Sequence, residues 1–141
     1  MKNIDQNTLL YKKLAEKKVG RQEIYDGYIL HVVRDDITLP NGKPAGREMV
    51  LHNGAVAIVA VTDHNELILE RQFRYPFDEV ITEIPAGKID KGETDPMGAA
   101  ARELREETGI TAGNLRYIGD YYPSPAILSE RIYLYLATDL N

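Results

Sequence analysis

Residues 55–61, Ala-Val-Ala-Ile-Val-Ala-Val, form an unbroken apolar run between Gly54 and the polar stretch Thr62-Asp63-His64-Asn65. Seven residues rich in β-branched side chains fit a strand buried on both faces. Such a strand belongs inside a covered sheet, so the chain is expected to build a mixed sheet with at least one packed helix. The run is far shorter than the roughly 18–20 residues that a membrane helix needs. The opening residues, Met1-Lys-Asn-Ile-Asp, carry no apolar leader, so neither secretion nor a membrane partner is expected. At 141 residues with 43% hydrophobic side chains, the chain has one domain's length and enough apolar surface to exclude a disordered protein. Its 22 acidic against 17 basic residues leave a net charge of −5, which argues against nucleic acid as the partner. Cysteine is absent, excluding disulfides, thiolate zinc sites and cysteine nucleophiles, and a reducing cytoplasm is the expected location.

Residues 1–20 mix Leu9, Leu10, Leu14 and Val19 with Lys12, Lys13, Glu16, Lys17 and Lys18, and read as a solvated arm or short helix. Strand patterning begins at Glu23. Residues 29–33 and 37–39 are apolar, Pro40-Asn41-Gly42-Lys43 reads as a hairpin turn, and residues 47–51 form the returning strand. The division expected from this is an arm and antiparallel strand unit over residues 1–53, followed by a second domain over 54–141. In that second part, residues 67–70 begin a strand, 71–76 lead on to another strand-like stretch at 80–84, and Pro85-Ala86-Gly87 breaks the pattern. Residues 117–121 and 132–137 are further strands flanking the loop Pro123-Ser-Pro-Ala.

A helix is predicted over 96–108, with Asp95 as N-cap, Pro96 in the first helical position and Gly109 as the C-terminal stop. Helical spacing puts Met97, Ala100, Ala101, Leu104 and Thr108 on one arc, the expected core face. Glu103, Glu106 and Glu107 fall on a neighbouring arc. Like charges three and four residues apart cost about 0.2–0.5 kcal/mol per pair. Anions in the last turn also oppose the helix dipole. A cation would compensate, and three carboxylates offer hard oxygens suited to Mg2+ or Mn2+; a charged, solvated helix face is the alternative reading.

Gly87, Glu93, Arg102-Glu103-Leu104, Glu106-Glu107 and Gly109-Ile110 together resemble the Nudix box, Gly-x5-Glu-x7-Arg-Glu-U-x-Glu-Glu-x-Gly-U, where U is aliphatic. All nine defined positions are matched, with one departure: eight residues, not seven, separate Glu93 from Arg102. Glu93 lies before the extra residue and is not carried over as a site residue. The similarity extends over residues 20–137 and is closest to the ADP-ribose pyrophosphatase branch, through Arg47-Glu48, Gln72-Phe73-Arg74, Glu83-Ile-Pro-Ala-Gly-Lys88, and Ser124-Pro125 with Glu130 beyond it. Where the branch shows Ser-Pro-Gly, this chain has Ala126.

The resemblance implies an α+β Nudix fold, a mixed sheet sandwiched between helices, with the N-terminal antiparallel unit building a homodimer. It implies Mg2+-dependent hydrolysis of ADP-ribose to AMP and ribose 5-phosphate. Glu103 and Glu107 would be the metal's side-chain ligands, joined by the backbone carbonyl of Ala86, with Glu106 orienting the cluster or binding a further metal and Arg102 holding the glutamates in place. Arg47, Arg74, Glu83, Lys88 and Glu130 would serve substrate binding, surface ion pairing being the alternative for the two arginines. Tyr25 or Tyr28 could stack on an adenine. His31, His52 and His64 show no ligand spacing. The branch places its usual catalytic base after the last strand seen here, so the catalytic end of the domain is expected to lie past residue 141 unless a group such as Glu106 serves. Other nucleoside diphosphate sugars remain as substrates, and a non-catalytic nucleotide-binding module remains as a different class of function.

Overall fold

The computed structural model describes residues 9–141, which fall into two compact units. Residues up to His52 form the first together with Ala126–Ser129; Asn53–Pro125 and Glu130–Asn141 form the second. The first eight residues of the expected arm lie outside the described range.

The first unit opens with a short helix, α1 (Leu9–Leu14), none of whose residues is buried. A three-stranded antiparallel sheet follows in the order β1 (Lys17–Asp26), β2 (His31–Thr38), β3 (Pro44–Leu51). β1 begins at Lys17, earlier than the expected onset at Glu23. Its residues are almost all exposed, so its sequence lacks the apolar alternation by which half-buried strands are recognised. β2 does alternate: Val33, Asp35 and Ile37 are buried between exposed Arg34 and Asp36. The buried acid is matched by Arg21, which stands opposite it on β1 and donates from Nε and Nη2 at 2.6 and 2.8 Å. That guanidinium holds the Asp35 carboxyl below its ordinary range, against the opposing effect of burial. The expected turn after β2 forms, with Gly42 at φ 83° donating to the Leu39 carbonyl. On the far side of β3, the Val50 N–H bonds the Ile127 carbonyl and the Ser129 N–H bonds Val50, which brings residues 126–129 into this unit.

The second unit is built on a mixed sheet in the order β7 (Ala86–Lys88), β4 (Ala55–Ala60), β9 (Ile132–Leu140), β8 (Ala112–Tyr121). β4 runs parallel to β9, and the other pairings are antiparallel. The apolar run takes the central position: every residue of β4 except Val59 is buried. β5 (Glu70–Arg74) and β6 (Glu79–Glu83) form a separate two-stranded ribbon. Two expectations are corrected here. Residues 71–74, read as a lead-in, are themselves β5, because their polar residues on both faces hide the strand. Pro85-Ala86-Gly87, read as a break, contains the start of β7, which is too short to show a period.

α2 spans Pro96–Thr108 as predicted. The Asp95 side chain accepts from the Met97 N–H, and Gly109 closes the helix at φ 75°. Its face is the predicted one only in part: Ala100 and Leu104 are buried as expected and Thr108 is half-buried, but Ala99 joins the core in place of Met97 and Ala101. Ala99, Ala100 and Leu104 are buried against Val56, Ile58, Ala60, Ile89, Tyr135 and Ala137, whereas Met97 is 46% exposed and Ala101 also lies outward. Two adjacent alanines at the contact let the helix backbone approach the small side chains of β4, and the helix is turned so that its glutamate side borders the sheet. Among the described residues, α2 is the helix that packs on this sheet. Leu104, 1% exposed, sits at the centre of this contact. Leu104→Ala is expected to destabilise the protein by about 2–5 kcal/mol, measurable as a lowered midpoint in urea with an unchanged slope.

Candidate active site

The turn of α2 toward β7 brings two carboxylates onto adjacent backbone groups. Glu103 lies directly against Gly87: a Cβ placed on that glycine would stand 2.0 Å from the Glu103 carboxyl carbon and 2.3 Å from both its oxygens. No side chain fits there, so glycine is what allows the helix and the strand to meet. One turn further on, the Glu107 carboxylate accepts from the Ala86 N–H at 2.9 Å. Ala86 is itself fixed by its ladder position opposite Ala57 in the buried strand. The apolar run thus sets the height of the backbone at which both acids converge.

Arg102 organises the rest. Its Nη1 donates to Glu103 at 2.7 Å and to Glu106 at 3.2 Å, and its Nη2 reaches Glu93 and the Lys88 carbonyl, each at 3.4 Å. Surrounded by carboxylates, with Glu103 foremost, this guanidinium is pushed above its ordinary range. Glu93 therefore belongs to the cluster, although the extra residue before Arg102 gave no reason to include it. The loop absorbs that residue: Gly92 turns at φ 92°, Glu93 accepts from the Asp90 N–H, and the helix restarts at Pro96.

Glu107 titrates above its ordinary range. Burial is the main cause, the Ala86 N–H opposes it, and the charges of Glu70 and Glu103 add to it. The Arg74 charge works the other way and places a second ion pair near this acid. Arg74 donates to Glu83 at 2.7 Å from Nε and also from Nη2, which holds the Glu83 carboxyl low. Glu70, which begins β5, was missed by sequence reasoning. The available signal was its position four residues before Arg74, on the same face of a strand whose start had been expected but whose continuation through 71–74 had not.

The other expected site residues belong to several elements. Lys88 is exposed at the end of β7 and contributes its carbonyl to Arg102. Glu130 is half-buried just before β9. Arg47 belongs to the three-stranded unit, where it pairs with Glu16 and donates to the Gly46 carbonyl at 3.0 Å. Tyr25 and Tyr28 are exposed in the same unit.

Among the described residues, no three acidic or histidine side chains converge on one point, since Arg102 draws Glu106 and one edge of Glu103 to itself. The donors nevertheless fit a hard divalent cation in kind: two carboxylates meet consecutive backbone residues, one of them in a cradle that a Cβ would fill. Because the Glu107 carboxyl is raised in the fold, its contribution to stability is present below the unfolded carboxylate range and is lost as pH rises through its folded value. At neutral pH its ionised form is a cost. Glu107→Gln keeps an oxygen for the Ala86 N–H, so the metal-free variant should be as stable as wild type or more so at neutral pH, with the advantage fading in acid. Thermal melts in chelator across that pH range check this, and a variant clearly less stable at neutral pH would contradict it.

Comparison with known proteins places this geometry in a family. The sequence model of the NUDIX domain matches residues 51–141, which contain α2, β7 and every residue of the carboxylate cluster. The chain is 45% identical over 130 residues to the ADP-ribose pyrophosphatase of Bacillus subtilis (strain 168), covering 92% of this chain and 70% of that protein. It is 41% identical over 130 residues to the methanol dehydrogenase activator of Bacillus methanolicus, with the same coverage of 92% and 70%. A solved structure described as an ADP compounds hydrolase superposes with a TM-score of 0.78 at 27% identity, covering 89% of this chain and 68% of that one. On the family match and these relatives, the chain belongs to the Nudix family.

Proposed function

We propose that this protein hydrolyses the diphosphate bond of ADP-ribose, giving AMP and ribose 5-phosphate, with Mg2+ as the cation and Mn2+ as a substitute. The observation that carries the reading is the placement of the Glu103 and Glu107 carboxylates on the Ala86–Gly87 backbone. In this reading Glu103, Glu107 and the Ala86 carbonyl hold the cation, and Glu106 orients the cluster. When bound, the cation screens phosphate charge and lowers the pKa of a bound water. Arg102 keeps Glu103 in its cradle and offsets the repulsion among Glu93, Glu103 and Glu106. Arg74, its planar fork fixed by Glu83, suits phosphate or ribose oxygens. Lys88, Arg47 and Glu130 are the further proposed substrate contacts. A cytoplasmic location agrees with the absence of cysteine.

The B. subtilis relative and the superposed hydrolase, by their names, act on ADP compounds, which supports ADP-ribose over other nucleoside diphosphate sugars. The activator from B. methanolicus matches the same share of the chain and keeps a second reading in view: a nucleotide-binding module that acts on a partner. Repelling acids argue against pure binding, since a binder gains nothing from them.

The three-stranded unit is proposed to build a homodimer. Val19, Ile24, Tyr25, Tyr28, Ile29 and Leu30 of that unit are each at least half exposed, an apolar surface that calls for a partner. Light scattering at micromolar concentration should give twice the chain mass, and a strict monomer would remove this proposal.

The activity itself is tested by a panel of ADP-ribose, ADP-glucose, GDP-mannose and diadenosine polyphosphates with and without Mg2+, assayed by the phosphate that added alkaline phosphatase frees from the monoester products. ADP-ribose should be turned over fastest, and only with the cation. Mg2+ should also raise the melting temperature, with a stabilisation of about 2.7 kcal/mol at a hundredfold excess over its dissociation constant. A preference for a glucose or mannose conjugate would change the substrate, and binding without turnover would favour the module.

A further inference from the structure

Arg47, a proposed substrate contact, is already engaged by a carboxylate of its own chain. In the ladder between β2 and β3 it stands directly opposite Asp35, but that acid is taken. Arg21 donates to both of its oxygens, at 2.6 and 2.8 Å, and the Lys18 amine lies 3.7 Å away. Arg47 turns instead to Glu16. Its Nε donates to one carboxylate oxygen at 3.0 Å and its Nη2 to the other, while Nη1 donates to the Gly46 carbonyl at 3.0 Å. All three nitrogens of the guanidinium are therefore occupied. Among the described residues, Glu16 has no second cation and Arg47 no second acid. Glu16 lies in the link between α1 and β1 and, like Arg47, is partly exposed. Leu9, Leu10 and Leu14 of α1 are mostly exposed, so these side chains do not anchor the acid in place.

We propose that Glu16 is an internal competitor for Arg47: its carboxylate stands where two oxygens of a substrate phosphate would be bound, and substrate displaces it on entering. The inference rests on the reading of Arg47 as a substrate contact. A guanidinium presents its donors in a fixed fork that matches carboxylate and phosphate alike, so the edge formed by Nε and Nη2 takes one of the two at a time. Displacement by a phosphate exchanges one charge-assisted pair for another. The released Glu16 is exposed enough to regain water, and an exposed ion pair is weak, so the competition tunes affinity without blocking the contact. Glu16 thereby sets how strongly the anionic part of the substrate is held.

The test measures the Kd of ADP-ribose for the full chain by NMR titration in chelator, where the proposed cation-dependent turnover does not consume the ligand. Glu16→Gln should bind ADP-ribose about two- to five-fold more tightly than wild type, the range that loss of an exposed ion pair supports. Adenosine, which has no phosphate, should bind both proteins alike. Glu66→Gln, which removes one negative charge in the exposed turn before β5, should leave both values unchanged. Arg47→Gln should weaken ADP-ribose binding, and in that background Glu16→Gln should have no further effect, since two residues that act through one contact are not additive. If Glu16→Gln binds ADP-ribose like wild type while Arg47→Gln binds it less well, the inference fails and the reading of Arg47 as a contact stands. If Glu16→Gln tightens binding equally without Arg47, or tightens adenosine as much as ADP-ribose, the acid does not act at a phosphate contact of Arg47, and the inference fails on that ground. If Arg47→Gln leaves ADP-ribose binding unchanged, or wild type binds none at millimolar concentration, the reading of Arg47 and the inference fall together.

Discussion

The second unit depends on one close approach, the Glu103 carboxylate resting on the Gly87 backbone. It fixes the rotation of α2 about its axis, because a helix that buried Met97 and Ala101 would carry Glu103 away from β7. It explains the alanines at the helix contact, since Ala99 and Ala100 let the helix sit low enough on Val56, Ile58 and Ala60 for the acid to reach the strand. It also explains why so short a strand as β7 is kept. Three residues paired to β4 contribute little stability, but they hold Ala86 and Gly87 at a defined height against a buried partner.

Carboxylates gathered this way carry an electrostatic cost, and the protein meets part of it. Arg102 serves Glu93, Glu103 and Glu106, and Arg74 serves Glu83. Glu107 receives only a backbone N–H and is the acid pushed upward by its burial. The acid with no side-chain hydrogen bond to offset its charge is therefore one that meets the strand backbone directly. That uneven distribution leaves negative charge where a cation can be useful and cancels it where the helix needs only to be stable.

Much of this was legible in the sequence, for reasons that vary by element. The bounds of α2 could be read because Asp95, Pro96 and Gly109 are local signals whose chemistry does not depend on the rest of the fold. The central strand could be read because burial on both faces leaves an unbroken apolar run. The rotation of α2 could not, because alanine is neutral in a periodicity argument: Ala99 and Ala101 look alike until the sheet selects one of them. β1 and β5 were obscured by exposure, since strands with polar residues on both faces have no period to detect. Glu93 and Glu70 were missed for opposite reasons. The first seemed displaced by an extra residue that a glycine turn absorbs; the second is brought near the site only by strand pairing, which a motif in the linear sequence does not contain.

The loop between β8 and β9 shows the same division between local and tertiary information. Ala126 replaces the glycine of the related pattern, yet it is not among the non-glycine residues with positive φ, so the substitution adds no left-handed strain. Tertiary contacts fix this segment. Arg131 donates to Asp120 at 2.7 Å and lies 4.4 Å above the ring of Tyr133, while the Tyr117 hydroxyl donates to the other oxygen of Asp120. Asp120 and Arg131 stand at the exit from β8 and the entry to β9, so their ion pair joins the two ends of the excursion that runs through Ala126–Ser129. Arg131 Nε, buried without a hydrogen-bond partner, is an unmet polar group at this junction, a cost set against the clamp's other contacts. The clamp closes immediately after Glu130 and holds the ends of the loop with alanine at residue 126.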